Sequence, residues 1–208
     1  MNMLTGFRNS PDGGKGLARD FRVRWALEEL GQPYRMNLVT FTDLKTDAYR
    51  MRQPFGQIPT WSDGQFNLFE SGAIVLLLAQ RYSGLLPVDE VARSRAVVWL
   101  FAALDTVEPP IWDWDLTRML ERDKPWYGER APMLEARITR RLDELAKWLG
   151  ASDWLEGSFS VGDLMMVSVL RRLHGTDFLQ QYPSLAAYVE RAEARPAFVR
   201  AFLSQKQS

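Results

Sequence analysis

The sequence has 208 residues, 46% hydrophobic and 25% charged, with 26 basic and 26 acidic side chains. Such a chain can bury a full core as one large domain or two small ones, and its even charge offers no global field for nucleic acid or an acidic membrane surface. It has no cysteine and a single histidine, His174, which excludes disulfides, thiolate metal sites, a cysteine nucleophile and a histidine-rich metal centre. Thiol chemistry, if any, must therefore use a thiol carried in by a ligand. The longest apolar runs, 73–79 and 96–104, fall short of the roughly 20 residues a membrane span needs. The N-terminal stretch lacks the features of a secretory signal, and a cytoplasmic location is expected.

In chain order, Met3–Phe7 suits a short strand. Arg8, Lys15, Arg19, Arg22 and Arg24 then outnumber Asp12 and Asp20. They fit either a solvated helix face or a site for a small anion. Val23, Ala26, Leu27 and Leu30 form the i, i+3, i+4, i+7 stripe of a helix that Gly31 ends. Tyr34, Met36 and Leu38 alternate as in a strand, and the polar stretch to Arg52 suits a short helix. Ile58–Trp61 and Phe66–Phe69 flank an Asp63-Gly64 turn and predict a hairpin. Ser71–Tyr82 predicts an apolar helix with Ser71 as its N-cap. The order β-α-β-α-β-β-α, one parallel crossover and a terminal hairpin, is a thioredoxin-like α/β pattern over residues 1–83.

Gly84–Pro87 reads as a linker. Residues 88–208 carry no strand pattern and predict an all-α domain, with helices near 90–118, 130–149, 160–174, 183–194 and 196–205. Pro109-Pro110 should kink or split the first of these. Ser160 with Asp163 three residues on predicts a capping box, a structural role, and His174 reads as a helix-end residue.

Three segments converge on one ligand. In Gln53-Pro54-Phe55-Gly56-Gln57-Ile58-Pro59, the proline opening a strand makes Ile58–Pro59 a candidate cis peptide. A cis bond would leave the Ile58 N–H and C=O free to pair with an extended peptide. In Leu68-Phe69-Glu70-Ser71-Gly72-Ala73-Ile74, a helix N-terminus suits a carboxylate and Glu70 an ammonium, together an amino-acid head group. Read alone, the Glu-Ser pair is equally a plain cap. Lys45 could reach a second carboxylate.

These motifs, with the VRWALEELG stretch over 23–31 and the Ser160–Asp163 box, resemble the glutathione transferase superfamily. The closest likeness is to plant-type phi and tau and related bacterial sequences. The resemblance implies a thioredoxin-like domain followed by an all-helical domain, a homodimer, and glutathione as co-substrate. By position, Ile58 before Pro59 would bind the cysteinyl backbone, Glu70 and Ser71 the γ-glutamyl end, and Gln57 and Lys45 the glycyl carboxylate. It implies an enzyme of detoxification that presents the glutathione thiolate to a small hydrophobic electrophile, by conjugation or peroxide reduction. The electrophile would lie between the domains, against Phe101, Pro109-Pro110, Trp112, Trp114 and Met119. The alternative is a non-catalytic glutathione-binding or protein-interaction module on the same fold.

One position departs from the family. The usual Ser, Tyr or Cys near the first helix falls at Leu17, which has no side-chain donor. Residues 9–16 resemble an insertion, and they do not form a phosphate loop: Asn9 stands where glycine is required, and Gly16 where Ser or Thr must follow Lys15. Lowering a thiol pKa by about 2 units takes about 2.7 kcal/mol, whereas a helix N-terminus supplies about 0.3–1 and at most about 2 kcal/mol. Arg19 on the first turn, or Ser10 folding back from the loop, would supply the rest. Both are equally read as a surface arginine and a loop serine.

Overall fold

In the computed structural model, which describes residues 1–206, β1 (Asn2–Phe7) lies inside a four-stranded sheet of order β2-β1-β3-β4. β2 (Tyr34–Val39) runs parallel to β1, with Leu4 opposite Met36. β3 (Thr60–Ser62) is antiparallel to β1, and β4 (Asn67–Phe69) antiparallel to β3. The Asp63-Gly64 turn joins the last two, and the Asp63 carboxylate accepts from the Gln65 amide and holds Arg81 at 2.7 Å.

α1 (Asp20–Glu29) makes the parallel crossover, and every residue from Asp20 to Leu27 is buried. The part of the basic stretch on α1 is therefore not a solvated face: Asp20, Arg22 and Arg24 are 1%, 3% and 0% exposed, while Arg8 and Lys15 are exposed. A 3-10 turn (Asp43–Lys45) and α2 (Asp47–Arg50) follow β2. The N-cap of α3 (Ser71–Arg81) lies one residue earlier than expected. Glu70 is the N-cap and Ser71 the first helical residue, because the chain leaves β4 through a positive φ at Glu70.

The next helices are α4 (Glu90–Phe101), α5 (Glu108–Leu120), α6 (Tyr127–Leu149), α7 (Val161–Leu170), α8 (Asp177–Gln180), α9 (Pro183–Glu193) and α10 (Pro196–Lys206). Pro109 and Pro110 fall in the first turn of α5, where their missing donors cost nothing, and a π-helical stretch (Ala102–Val107) absorbs the change of register before them. α7 is buried along its whole length. Its capping box forms as expected: Asp163 accepts from the Ser160 amide at 2.9 Å and also from the Leu155 amide and the Tyr188 hydroxyl. His174 follows a 3-10 turn, Arg171–Leu173, as its C-terminal cap.

Two compact units result, Met1–Val88 with the segment from Glu193 onward, and Asp89–Ala192. The expected division put all of 88–208 in one helical domain. Among the described residues, α10 joins the first unit instead, and positions 207–208 lie outside the description. Phe198 on α10 sits edge-on to Phe21 and Trp25 of α1, and Arg195 grips Glu29 through two bonds of 2.6 and 2.8 Å. Aromatic burial plus a bidentate ion pair holds the helix there.

Candidate functional site

The β3–β4 hairpin assembles the site in the first unit. Thr60 stands opposite Phe69, so Ile58–Pro59 entering β3 and Glu70 leaving β4 lie at the same end of the hairpin. The Ile58–Pro59 bond is cis. Ile58 is buried with Val39, Leu44 and Tyr49, and Phe7 and Ala18 cover the cluster, which brings the approach to α1 beside the hairpin.

The loop before Pro59 is rigidly tied. Gln53, 2% exposed, accepts from the Phe55 amide at 2.7 Å through its side chain and from the Gly56 amide at 3.0 Å through its backbone. Its role is to shape the turn. Gly56 has φ 62°, and a Cβ there would meet the Leu44 carbonyl at 2.9 Å. Only glycine permits that approach, which holds the loop before Gln57 against the Leu44 carbonyl. The Tyr49 hydroxyl donates to the Gln57 carbonyl at 2.7 Å. Gln57 and Lys45 are both exposed.

At the other edge, Glu70 has φ 70° and ψ 114°, outside the regions open to residues with a side chain. Its carbonyl accepts the first bond of α3, from the Ile74 amide, which leaves the amides of Ser71, Gly72 and Ala73 outside the helical ladder. Its carboxylate is exposed and has no partner among the described residues. Ser71 is buried, and its Oγ accepts from Arg22 on α1 at 3.3 Å. A carboxylate beside unused helix N-terminal amides suits the two charges of an amino-acid head group.

The β1–α1 loop differs from its expected role. Asp12 Oδ2 accepts from the Leu17 and Ala18 amides at 2.5 and 2.9 Å, and Oδ1 from the Gly14 amide at 2.9 Å. Burial opposes this charge. The Ser10 hydroxyl beside it, which makes no well-aligned bond, and the three amides outweigh that and hold Asp12 below the usual carboxylate value. The donors leading into α1 are thus committed to a carboxylate of the chain itself. Arg19 is the half-buried N-cap of α1, with no capping bond from its side chain. Asp12 and Arg22 were missed in the sequence. The Asp12-Gly13-Gly14 turn ahead of the helix was the available signal for Asp12, whereas nothing local marks Arg22.

The aromatic residues expected near an electrophile lie in the second unit. Trp114 is buried and donates to Glu135 at 3.1 Å, and Trp112 is covered by the Arg172 guanidinium at 4.3 Å. Phe101 and Met119 are exposed. Among the described residues no cluster of metal-ligating side chains occurs, and no helix is long and apolar enough to cross a membrane.

Two domains of one family match the chain: the N-terminal domain of glutathione S-transferases over residues 21–85, and the C-terminal domain over 117–206. The chain belongs to the glutathione S-transferase family. It is 29% identical over 192 residues to a probable glutathione S-transferase of Oryza sativa subsp. japonica, spanning 85% of this chain and 87% of that protein. A glutathione transferase from Burkholderia graminis, solved with two glutathione molecules bound per subunit, superimposes with TM-score 0.86 at 24% identity. That match covers 100% of this chain and 89% of the other. Ure2p in complex with glutathione gives 0.82 at 21% identity, over 96% and 97% of the two chains. These structures share the fold of this chain, a thioredoxin-like domain and a helical domain.

Proposed function

We propose that this protein binds glutathione in its first unit and presents the sulfur to a small hydrophobic electrophile, as a cytoplasmic homodimer in detoxification. The observation that carries the reading is Glu70: a backbone held at positive φ, with an unengaged carboxylate beside the unused amides at the head of α3. Glu70 takes the ligand's ammonium, and the Ser71 end of α3 takes its α-carboxylate. Ile58 pairs with the cysteinyl backbone through groups that the cis bond to Pro59 leaves outside the strand. Gln57 and Lys45 receive the glycyl carboxylate. Two carboxylates and one ammonium on glutathione thereby meet complementary groups at three separate places. The stripe of Val91, Val98 and Phe101 on α4, each half or more exposed, supports the dimer.

For the chemical step, the family position of the hydroxyl is Leu17, and Asp12 occupies the neighbouring amides. A fixed negative charge there disfavours a thiolate. Arg19, the N-cap of α1, opposes it, and the Ser10 hydroxyl lies buried beside Asp12 without a well-aligned bond. This arrangement equally supports the second reading, a module that binds glutathione without activating it. Calorimetry with glutathione tests the binding common to both: micromolar to low-millimolar affinity that Glu70→Ala weakens by roughly 1.5–3 kcal/mol is expected. No binding by the folded parent would end both readings. Turnover against a panel of electrophiles and peroxides separates them.

A further inference from the structure

A cavity of about 530 Å³ opens in the second unit, walled by α5, α6 and α8. Its volume is in the range of small-molecule sites. All its walls lie between residues 114 and 181, so it is formed without the glutathione-site residues. The floor is Trp114, 4% exposed, with the Phe178 ring edge-on at 5.2 Å. The Arg118 guanidinium lies over the Trp114 face at 4.3 Å. Stacking fixes the plane of the guanidinium and leaves its edge, which carries the donors, for another group. Arg118 has no carboxylate partner among the described residues.

Two carboxylates also line the cavity. Glu135 Oε1 accepts from the Trp114 indole at 3.1 Å, which orients the group and leaves Oε2 available. Asp177 is exposed on α8 with no side-chain partner among the described residues. Thr139, half-buried in the same lining, adds a hydroxyl. One stacked cation and two carboxylates thus line the same cavity as Trp114 and Phe178. A dianion would be repelled by Glu135 and Asp177, and a simple cation by Arg118. A molecule with one carboxylate, one ammonium and an apolar side chain satisfies all of them.

We infer that this cavity is a binding site for a zwitterionic amino acid or short peptide, its carboxylate on Arg118, its ammonium on Glu135 and Asp177, and its apolar side chain against Phe178. The site is separate from the glutathione reading and does not depend on it.

The test uses the full chain labelled with ¹⁵N, and follows the Trp114 indole N–H resonance, identified by its loss in Trp114→Phe. Glycyl-leucine is titrated against its N-acetyl derivative and its C-terminal amide. A saturable shift is expected for the dipeptide, with each blocked form at least about tenfold weaker. Arg118→Met should bring the dipeptide down to the level of the amide, and Glu135→Gln down to that of the N-acetyl form. The same titration in Glu70→Ala should be unchanged, which keeps this site distinct from the glutathione site. An amide that binds as well as the dipeptide, an N-acetyl form that does so, or no shift of Trp114 would each overturn the inference.

Discussion

Arg22 on α1 donates to the Ser71 hydroxyl at the head of α3 at 3.3 Å, with the two residues only 3% and 4% exposed. This bond ties the helix that crosses the sheet to the residue that begins the proposed head-group site. A buried guanidinium is costly unless its donors are engaged, so it holds its acceptors in fixed positions. Arg22→Met should lower stability by about 1–3 kcal/mol in denaturant titration and weaken glutathione in calorimetry by about tenfold, although the side chain is not assigned to the ligand. Lost stability with unchanged affinity would mean that Ser71 is positioned by its own helix alone.

Glu70 predicts two effects of opposite sign. Its backbone conformation stores about 1–3 kcal/mol, which a glycine would not incur. Glu70→Gly should therefore raise the melting temperature by a few degrees, at roughly 2–4 °C per kcal/mol for a chain of this size. The same change removes the proposed ammonium partner and should weaken glutathione by roughly 1.5–3 kcal/mol. A variant that is more stable and still binds normally would remove Glu70 from the site.

The order of elements and the hairpin were legible because they rest on local signals: alternation in 34–38, the Asp63-Gly64 turn, and the Ser160–Asp163 box. The cis proline was legible only through its place at the head of a strand. The environment of Arg22 and Arg24 was not. Both look like surface residues because each is charged and two positions from another charge. Arg24 has one local acceptor, Asp20, but Ser71 for Arg22 and Ser204 for Arg24 come from elements 49 and 180 residues away. Likewise α10 reads as one more helix of the second domain, and only Phe198 and Arg195 meeting α1 assign it to the first unit. Asp12 was hidden for a different reason: its acceptor role depends on the loop turning back so that residues 14, 17 and 18 point their amides at one side chain.

Asp12 sets the expected behaviour of bound glutathione. If the sulfur lies by Leu17 and Ala18, the carboxylate raises its pKa and Arg19 lowers it. Ultraviolet difference titration of the complex should then give a lower thiol pKa in Asp12→Asn and a higher one in Arg19→Ala, each by up to about a unit. Asp12→Asn should also cost about 1 kcal/mol of stability, because an amide oxygen accepts the loop amides less strongly than a carboxylate does. If neither variant moves the thiol pKa, the sulfur is not near this loop.

The last prediction concerns pH. Asp20 lies over Gly6, where a Cβ would meet its Oδ2 at 2.6 Å, and it bonds Arg24 at 2.8 Å inside the first unit. Burial pushes its pKa from 3.8 to about 6, against the opposing pull of Arg24, while the charge of Asp12 adds a small push in the same direction. Tyr34, whose own pKa is raised by burial, shares Ser204 with Arg24 and completes the surrounding polar groups. The folded state therefore holds a proton that the unfolded chain releases. The contribution is fully present below pH 3.8 and is lost as pH rises toward 6, by about 2–3 kcal/mol for a shift of this size. Asp163, raised by burial, acts in the same direction in the second unit, while Asp12, Asp43, Asp63 and Glu144 are lowered and act oppositely, mainly below pH 4. Subtracting one variant from the parent isolates Asp20. Asp20→Asn carries no charge at this position at any pH and stands in for the neutral acid, so its stability lacks this pH dependence. The parent's stability minus the variant's should be largest at pH 4 and fall by about 2 kcal/mol by pH 7, as measured by urea unfolding at each pH. A difference that stays constant from pH 4 to 7, or grows, would mean that Asp20 is ionised across the whole range and that its bond to Arg24 outweighs its burial.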